Sequence, residues 1–109
     1  MFKGDIVLIP LSYPNRSDDK MKLVPALILS EDDGAVTVSF ISTNTEEQEP
    51  CDLILHPKKG NGLKVRSVVR LNKIITIEKS FMLGRLGTLS TREMRELNLR
   101  LLELFDLAL

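Results

Sequence analysis

From Asp5 to Ile77 the apolar residues come in short runs, each closed off by turn-forming residues. Runs of that length bury little surface alone, so such a chain must pair them as strands. Asp5 to Leu11 is mostly apolar and ends near Pro10. Ser12 to Lys22 is rich in Pro, Asn, Ser and Asp and reads as a long loop. Val24 to Leu29 is almost continuously apolar, the pattern of a strand buried on both faces. Asp32-Asp33-Gly34 is a hairpin turn signal. Val36 to Ile41 then alternates, with Val36, Val38 and Phe40 on one face and Thr37 and Ser39 on the other. A polar loop, Ser42 to Pro50, leads to a strand over Cys51 to Leu55. His56 to Gly62, with one Pro and two Gly, reads as another turn. Val65 to Leu71 and Ile74 to Ile77 read as two further strands, and Phe81 to Leu86 as a short helical turn broken by Gly84 and Gly87.

The period changes once. Ser90-Thr91-Arg92-Glu93 has the spacing of a capping box, in which the serine hydroxyl and the glutamate each satisfy an amide of the first turn. Met94, Leu97, Leu101 and Leu104 follow at helical spacing, continued by Ala108 and widened by Leu102 and Phe105. The spacing predicts a helix over residues 91 to about 106. The expected fold is mainly β, of the α+β kind: a small, curled, mostly antiparallel sheet with one C-terminal helix.

At 109 residues the chain has room for one hydrophobic core, so a single domain spanning 1–109 is expected. Hydrophobic residues at 43% and charged residues at 28% are ordinary for a globular domain and exclude wholesale disorder. Lys+Arg and Asp+Glu are both 15, so no net positive charge draws the whole chain to nucleic acid. The charges are segregated, however. Glu31 to Asp52 holds seven acids and no base, and Lys58 to Arg92 holds nine bases and only Glu78 as an acid. Either one face is positive, or the blocks mingle on folding. One cysteine, Cys51, and one histidine, His56, exclude an internal disulfide, a thiolate cluster and a multi-histidine metal site. No metal or cofactor is expected. No apolar run spans a membrane, and the opening Met1-Phe2-Lys3-Gly4-Asp5 reaches an acid too soon for a signal peptide, so the expected location is the cytoplasm.

Phosphate loops and nucleophile elbows are absent from the sequence. His56 reads as a surface or capping residue and Cys51 as a small strand residue. Two features carry more chemistry. Ser42-Thr43-Asn44-Thr45 places hydrogen-bonding side chains where the alternating strand ends, a position suited either to phosphate and base contacts or to capping its own backbone. Arg70 interrupts the apolar run Val68-Val69-Arg70-Leu71. An arginine there needs a partner, either a structural carboxylate or an anion.

In order and spacing these segments resemble the MazF/PemK family of type II toxin–antitoxin toxins. Gly4-Asp5-Ile6-Val7-Leu8 is similar to the family's opening strand, and Pro25-Ala26-Leu27-Ile28-Leu29-Ser30 to its P-A-L-V-[IL]-S strand. Phe40-Ile41-Ser42-Thr43 resembles a strand end that reads I-T-S in many members. Gly62-Leu63-Lys64 with Ser67-Val68-Val69-Arg70-Leu71 resembles the G-L-x-x-x-S-V-V block. Ile74 to Lys79 and Leu86-Gly87-Thr88-Leu89-Ser90 resemble the segments before the last helix.

The resemblance implies a small SH3-like barrel, a homodimer, an antitoxin peptide as partner, and metal-independent cleavage of single-stranded RNA. In that reaction the 2′-hydroxyl attacks the neighbouring phosphate, leaving a 2′,3′-cyclic phosphate and a 5′-hydroxyl. Carried over position by position, it implies Arg70 and Ser42 as catalytic residues. Arg16, Lys20, Lys22, Thr43 and Asn72 are the expected RNA contacts. Two positions depart from the pattern. Val24 stands where most members have arginine, and Asn72 where some have aspartate. The alternative function is therefore a weakened or non-cleaving module that binds RNA or antitoxin.

Overall fold

A computed structural model describes residues 1–11 and 22–108. Among these residues six strands appear in chain order: β1 (Asp5–Leu11), β2 (Lys22–Glu31), β3 (Ala35–Ser42), β4 (Leu53–Leu55), β5 (Ser67–Glu78) and β6 (Gly84–Thr88). They form one antiparallel sheet in the order β4-β5-β3-β2-β1-β6, followed by a helix, α1 (Thr91–Leu104). The mainly β architecture with one C-terminal helix is the one expected.

Both faces of the sheet are buried, which is why its central strands read as continuous apolar runs. Ile6, Leu27, Ile41, Val69 and Leu71 point to the helix side, where Leu97 completes their cluster. Their neighbours Val7, Ala26, Ile28, Val36 and Val38 form a second cluster on the opposite face. The pairs Ile6/Val7 and Leu27/Ile28 thus divide between the clusters as the two-residue period of a strand requires.

Four expectations need correction. Lys22 belongs to β2, paired with Leu11, and not to the preceding loop. The rest of that loop, residues 12–21, lies outside the described residues. The two strands expected around Asn72 and Lys73 are one strand of 12 residues. Its register against β3 steps from Ser39↔Ile74 to Phe40↔Arg70, so Leu71, Asn72 and Lys73 face a single step of the partner. The ladder continues across a bulge, and the polar pair sits exposed on a corner that curls the sheet. The helical turn expected at Phe81 to Leu86 is instead a 3-10 turn at Lys79–Phe81 and then β6, because β1 offers those residues an unpaired edge. Last, α1 stops at Leu104, leaving Ala108 exposed beyond it.

The sheet is closed by a loop rather than a ladder. Gly60 accepts a hydrogen bond from the Thr88 amide at 2.9 Å, which ties the segment after β4 to β6. Asn61 is buried and organises this loop. Its Oδ1 accepts from the Lys58 and Leu63 amides, and its Nδ2 donates to the His56 carbonyl. At Gly62, with φ +73°, a Cβ would strike the Leu86 carbonyl. At Gly87 it would strike the backbone of Gly60 and Asn61. The expected turn at Gly60-Asn61-Gly62 is therefore also the seam of the barrel.

The capping box of α1 is present: Glu93 N–H donates to Ser90 Oγ at 3.1 Å, and Ser90 N–H to Glu93 Oε1 at 2.9 Å. Leu97 is fully buried, and Met94, Leu101 and Leu104 pack around it against the first cluster.

Candidate functional site

Antiparallel pairing brings the end of β3 and the start of β2 to the same end of the sheet. The first half of β5 runs beside them. Lys22, Val24, Ser42, Thr43, Arg70 and Asn72, scattered through the sequence, therefore share one end of the molecule. Arg16 and Lys20 lie outside the described residues.

Arg70 sits where β5 begins its corner, opposite Phe40. Its guanidinium is largely committed. Nη1 donates to Asp52 Oδ2 and to the Glu47 carbonyl, both at 2.5 Å. Nη2 donates to the Asn44 carbonyl at 2.7 Å. Of the two partners anticipated for this arginine, the fold contains the carboxylate: Asp52 lies one residue before β4, the strand that pairs with β5. A guanidinium carries five N–H donors, so two remain uncommitted among the described residues, beside a recess of about 280 Å³. That recess is lined by Glu47, Glu49, Arg70, Asn72 and Lys73.

Ser42 ends β3, paired with Val68. Its Oγ accepts the Asn44 amide at 3.1 Å, and Asn44 Oδ1 accepts the Glu46 amide at 3.2 Å. These are the short-range bonds of Asx- and ST-turns. Both capped donors are amides of the loop's own backbone, while Thr43 is exposed. Lys22 is exposed at the start of β2.

Sequence reasoning passed over Asp52. Its side chain is 1% exposed, the most buried charge at this end. Oδ2 also accepts the Glu49 amide at 2.8 Å, whereas Oδ1 is buried with no partner among the described residues. Only the arginine needing a partner pointed to it, because nothing near Asp52 in sequence marks it out. From the other side, Arg100 of α1 reaches the loop through the Pro50 carbonyl at 2.7 Å and holds Glu96 at 3.0 Å.

The charge blocks mingle in part. Arg70 and Lys79 of the basic block pair with Asp52 and Glu31 of the acidic one. His56 is exposed, as expected; Cys51, read as a strand residue, sits instead in the turn before β4, half-buried against the first core cluster. Among the described residues no group of His, Cys, Asp and Glu side chains is arranged to hold a metal ion. Nor is any helix among them long and apolar enough to cross a membrane.

A curled six-stranded antiparallel sheet, closed by a loop and backed by one helix, with a polar recess at one end, defines a small barrel protein. Residues 2–105 match the model of the PemK-like, MazF-like toxin of type II toxin–antitoxin systems, and the chain belongs to that family. Among solved structures it is similar to the Mycobacterium tuberculosis toxin MazF-mt6, with 25% identity and a TM-score of 0.76 over 96% of this chain and 99% of that one. An endoribonuclease in complex with its cognate antitoxin, from a mycobacterial species, superposes with a TM-score of 0.77 at 19% identity, over 100% of this chain and 98% of that one. A further mycobacterial endoribonuclease gives 0.73 at 18% identity, over 100% of this chain and 94% of that one. These last two likenesses concern the fold. No curated protein matches the chain in a sequence comparison.

Proposed function

We propose that this family member is a metal-independent endoribonuclease acting on single-stranded RNA, and that its activity is held in check by a cognate antitoxin peptide. The observation that carries the reading is a recess of mixed charge lined by Glu47 and Glu49 and, on the strand that pairs with the end of β3 at Ser42, by Arg70, Asn72 and Lys73. Family membership and the likeness to MazF-mt6 support it.

The reaction needs three things. A base takes the proton of the 2′-hydroxyl as that oxygen attacks phosphorus. An acid protonates the departing 5′-oxygen as the P–O5′ bond breaks. Donors stabilise the extra negative charge on the phosphoryl oxygens. The recess offers carboxylates, Glu47 and Glu49, that can take a proton, and Lys73 as a cation. Arg70 lines the same wall and has N–H groups to spare for phosphate, and the Ser42 hydroxyl, at the end of β3, can still donate its own proton to phosphate while it accepts the Asn44 amide. Asn72 cannot exchange a proton at neutral pH; it can hydrogen-bond a base edge or a 2′-hydroxyl.

The test is a digest of a defined RNA by purified protein with a chelator present, its ends mapped at nucleotide resolution. Products with 5′-hydroxyl and 2′,3′-cyclic phosphate ends are expected. Intact RNA at high enzyme would overturn cleavage and leave the second reading, a non-cleaving module. Two observations favour that one: Val24 supplies no charge, and Asp52 neutralises much of Arg70.

A further inference from the structure

We propose that Asp52 is a positioning residue of the candidate site, acting through Arg70 to fix the loop that carries Thr43 and Asn44 and borders Ser42. The inference rests on the endoribonuclease reading and deepens it.

The loop from Thr43 to Asp52 contains no regular secondary structure. Its internal hydrogen bonds span only two or three residues, so by themselves they shape turns and do not anchor the loop to the sheet. One side chain supplies the anchor on the β5 side. Arg70 reaches the loop at Asn44, Glu47 and Asp52, near its start, middle and end. A planar guanidinium fork fixes the relative directions of its acceptors, whereas an ammonium at the same place would not.

Asp52 in turn fixes the fork. The carboxylate faces Nη1 from inside the protein and also takes the Glu49 amide, so the arginine and the last turn of the loop are set by one group. Stability alone is a poor account of this arrangement. Oδ1 is buried without a partner among the described residues. A buried, half-satisfied ion pair contributes little net stability compared with an apolar pair of the same size. What the pair does supply is a single geometry for a loop that begins next to Ser42 and lends Glu47 and Glu49 to the recess. A misplacement of about 1 Å at such a site can cost on the order of 100-fold in rate.

The experiment compares wild type, Asp52→Asn, Arg70→Ala, Asp52→Asn/Arg70→Ala and Arg70→Lys. Cleavage of a defined RNA, thermal melting and amide hydrogen exchange of residues 43–49 are measured on each. Asp52→Asn keeps shape and an acceptor but removes the charge. It is expected to lower kcat by about 10- to 100-fold per folded molecule, with a smaller change in KM, and to speed exchange in the loop. The double variant should be no slower than Arg70→Ala, because the aspartate acts through the arginine. Arg70→Lys, which retains the charge, should recover only part of the loss.

A purely structural pair would instead lower the melting temperature and leave kcat per folded molecule and loop exchange unchanged; that result overturns the proposal. If Asp52→Asn does not fold, Arg70→Lys decides alone: wild-type kcat and loop exchange in that variant would also overturn it. If the wild type leaves RNA intact, the endoribonuclease reading fails separately, and the clamp then stands or falls on loop exchange.

Discussion

Arg70 and Asp52 meet as a largely buried ion pair where β5 begins its corner. An arginine inside an apolar run needs an opposite charge or an anion, and this could be read directly from Val68-Val69-Arg70-Leu71. Which of the two it has depends on a residue 18 positions away, Asp52, whose neighbours Pro50, Cys51 and Leu53 say nothing about it. The energetics follow from burial. With the arginine side chain 16% exposed and the aspartate 1%, removing the cation leaves a buried charge uncompensated. Arg70→Ala should therefore destabilise the protein by about 3–5 kcal/mol, measured by chemical denaturation. A loss below about 1 kcal/mol would show that water reaches the carboxylate readily. By contrast, Ser42→Ala loses only an exposed turn bond, and its stability should stay within about 0.5 kcal/mol of wild type. If Ser42 positions phosphate, cleavage falls in this variant while the melt does not.

Among the elements, those built on local chemistry were the most legible. The capping box, the stripe around Leu97 and the Asp32-Asp33-Gly34 turn each depend on residues within a few positions of one another. Replacing Ser90 with alanine should cost about 1 kcal/mol, read by the same denaturation experiment, since an amide of the first turn loses its acceptor. In the turn, Asp32 Oδ1 accepts the amides of Gly34 at 2.9 Å and Ala35 at 2.8 Å. Those bonds, first that of Gly34 and then that of Ala35, hold its carboxyl below the usual value of 3.8, with a smaller contribution from the Lys79 charge. A pKa lower in the folded than in the unfolded chain means stabilisation that is complete above the unfolded value. It is lost as pH falls below about 3.8 and through the lower folded value. An acid titration that follows the Gly34 and Ala35 amide signals should show their transition below that of an unstructured aspartate. β5 and β6 were less legible, because their outcome depended on a partner. The polar Asn72-Lys73 pair resembles a strand break until β3 runs past it. The stretch Phe81 to Leu86 resembles a helical turn until the free edge of β1 claims its second half.

For the whole molecule, the unfinished business is apolar surface. Leu101, Leu102, Phe105 and Leu107 line, with Leu29 and Ile74, a groove of about 480 Å³ between the helix end and the sheet. Phe105 is 55% exposed and Leu107 60%. An apolar face of this kind marks an interface more often than bare surface, and we propose that a second copy of the chain covers it across a two-fold axis. Sedimentation at micromolar concentration should give the mass of a dimer, and Leu102→Glu should shift it toward the monomer. A wild-type monomer at that concentration would remove the proposal. What the amino-acid sequence determined unaided was the inventory: short paired strands, a capped terminal helix, one core, and an arginine in need of a partner. These follow from period, burial and capping, which operate over a few residues. Only the tertiary structure decided that the strands close through Gly60 and Thr88, that β5 turns its corner at Asn72, and that Asp52 meets Arg70. Each of those depends on which distant segments come together, and chain neighbours carry no record of that.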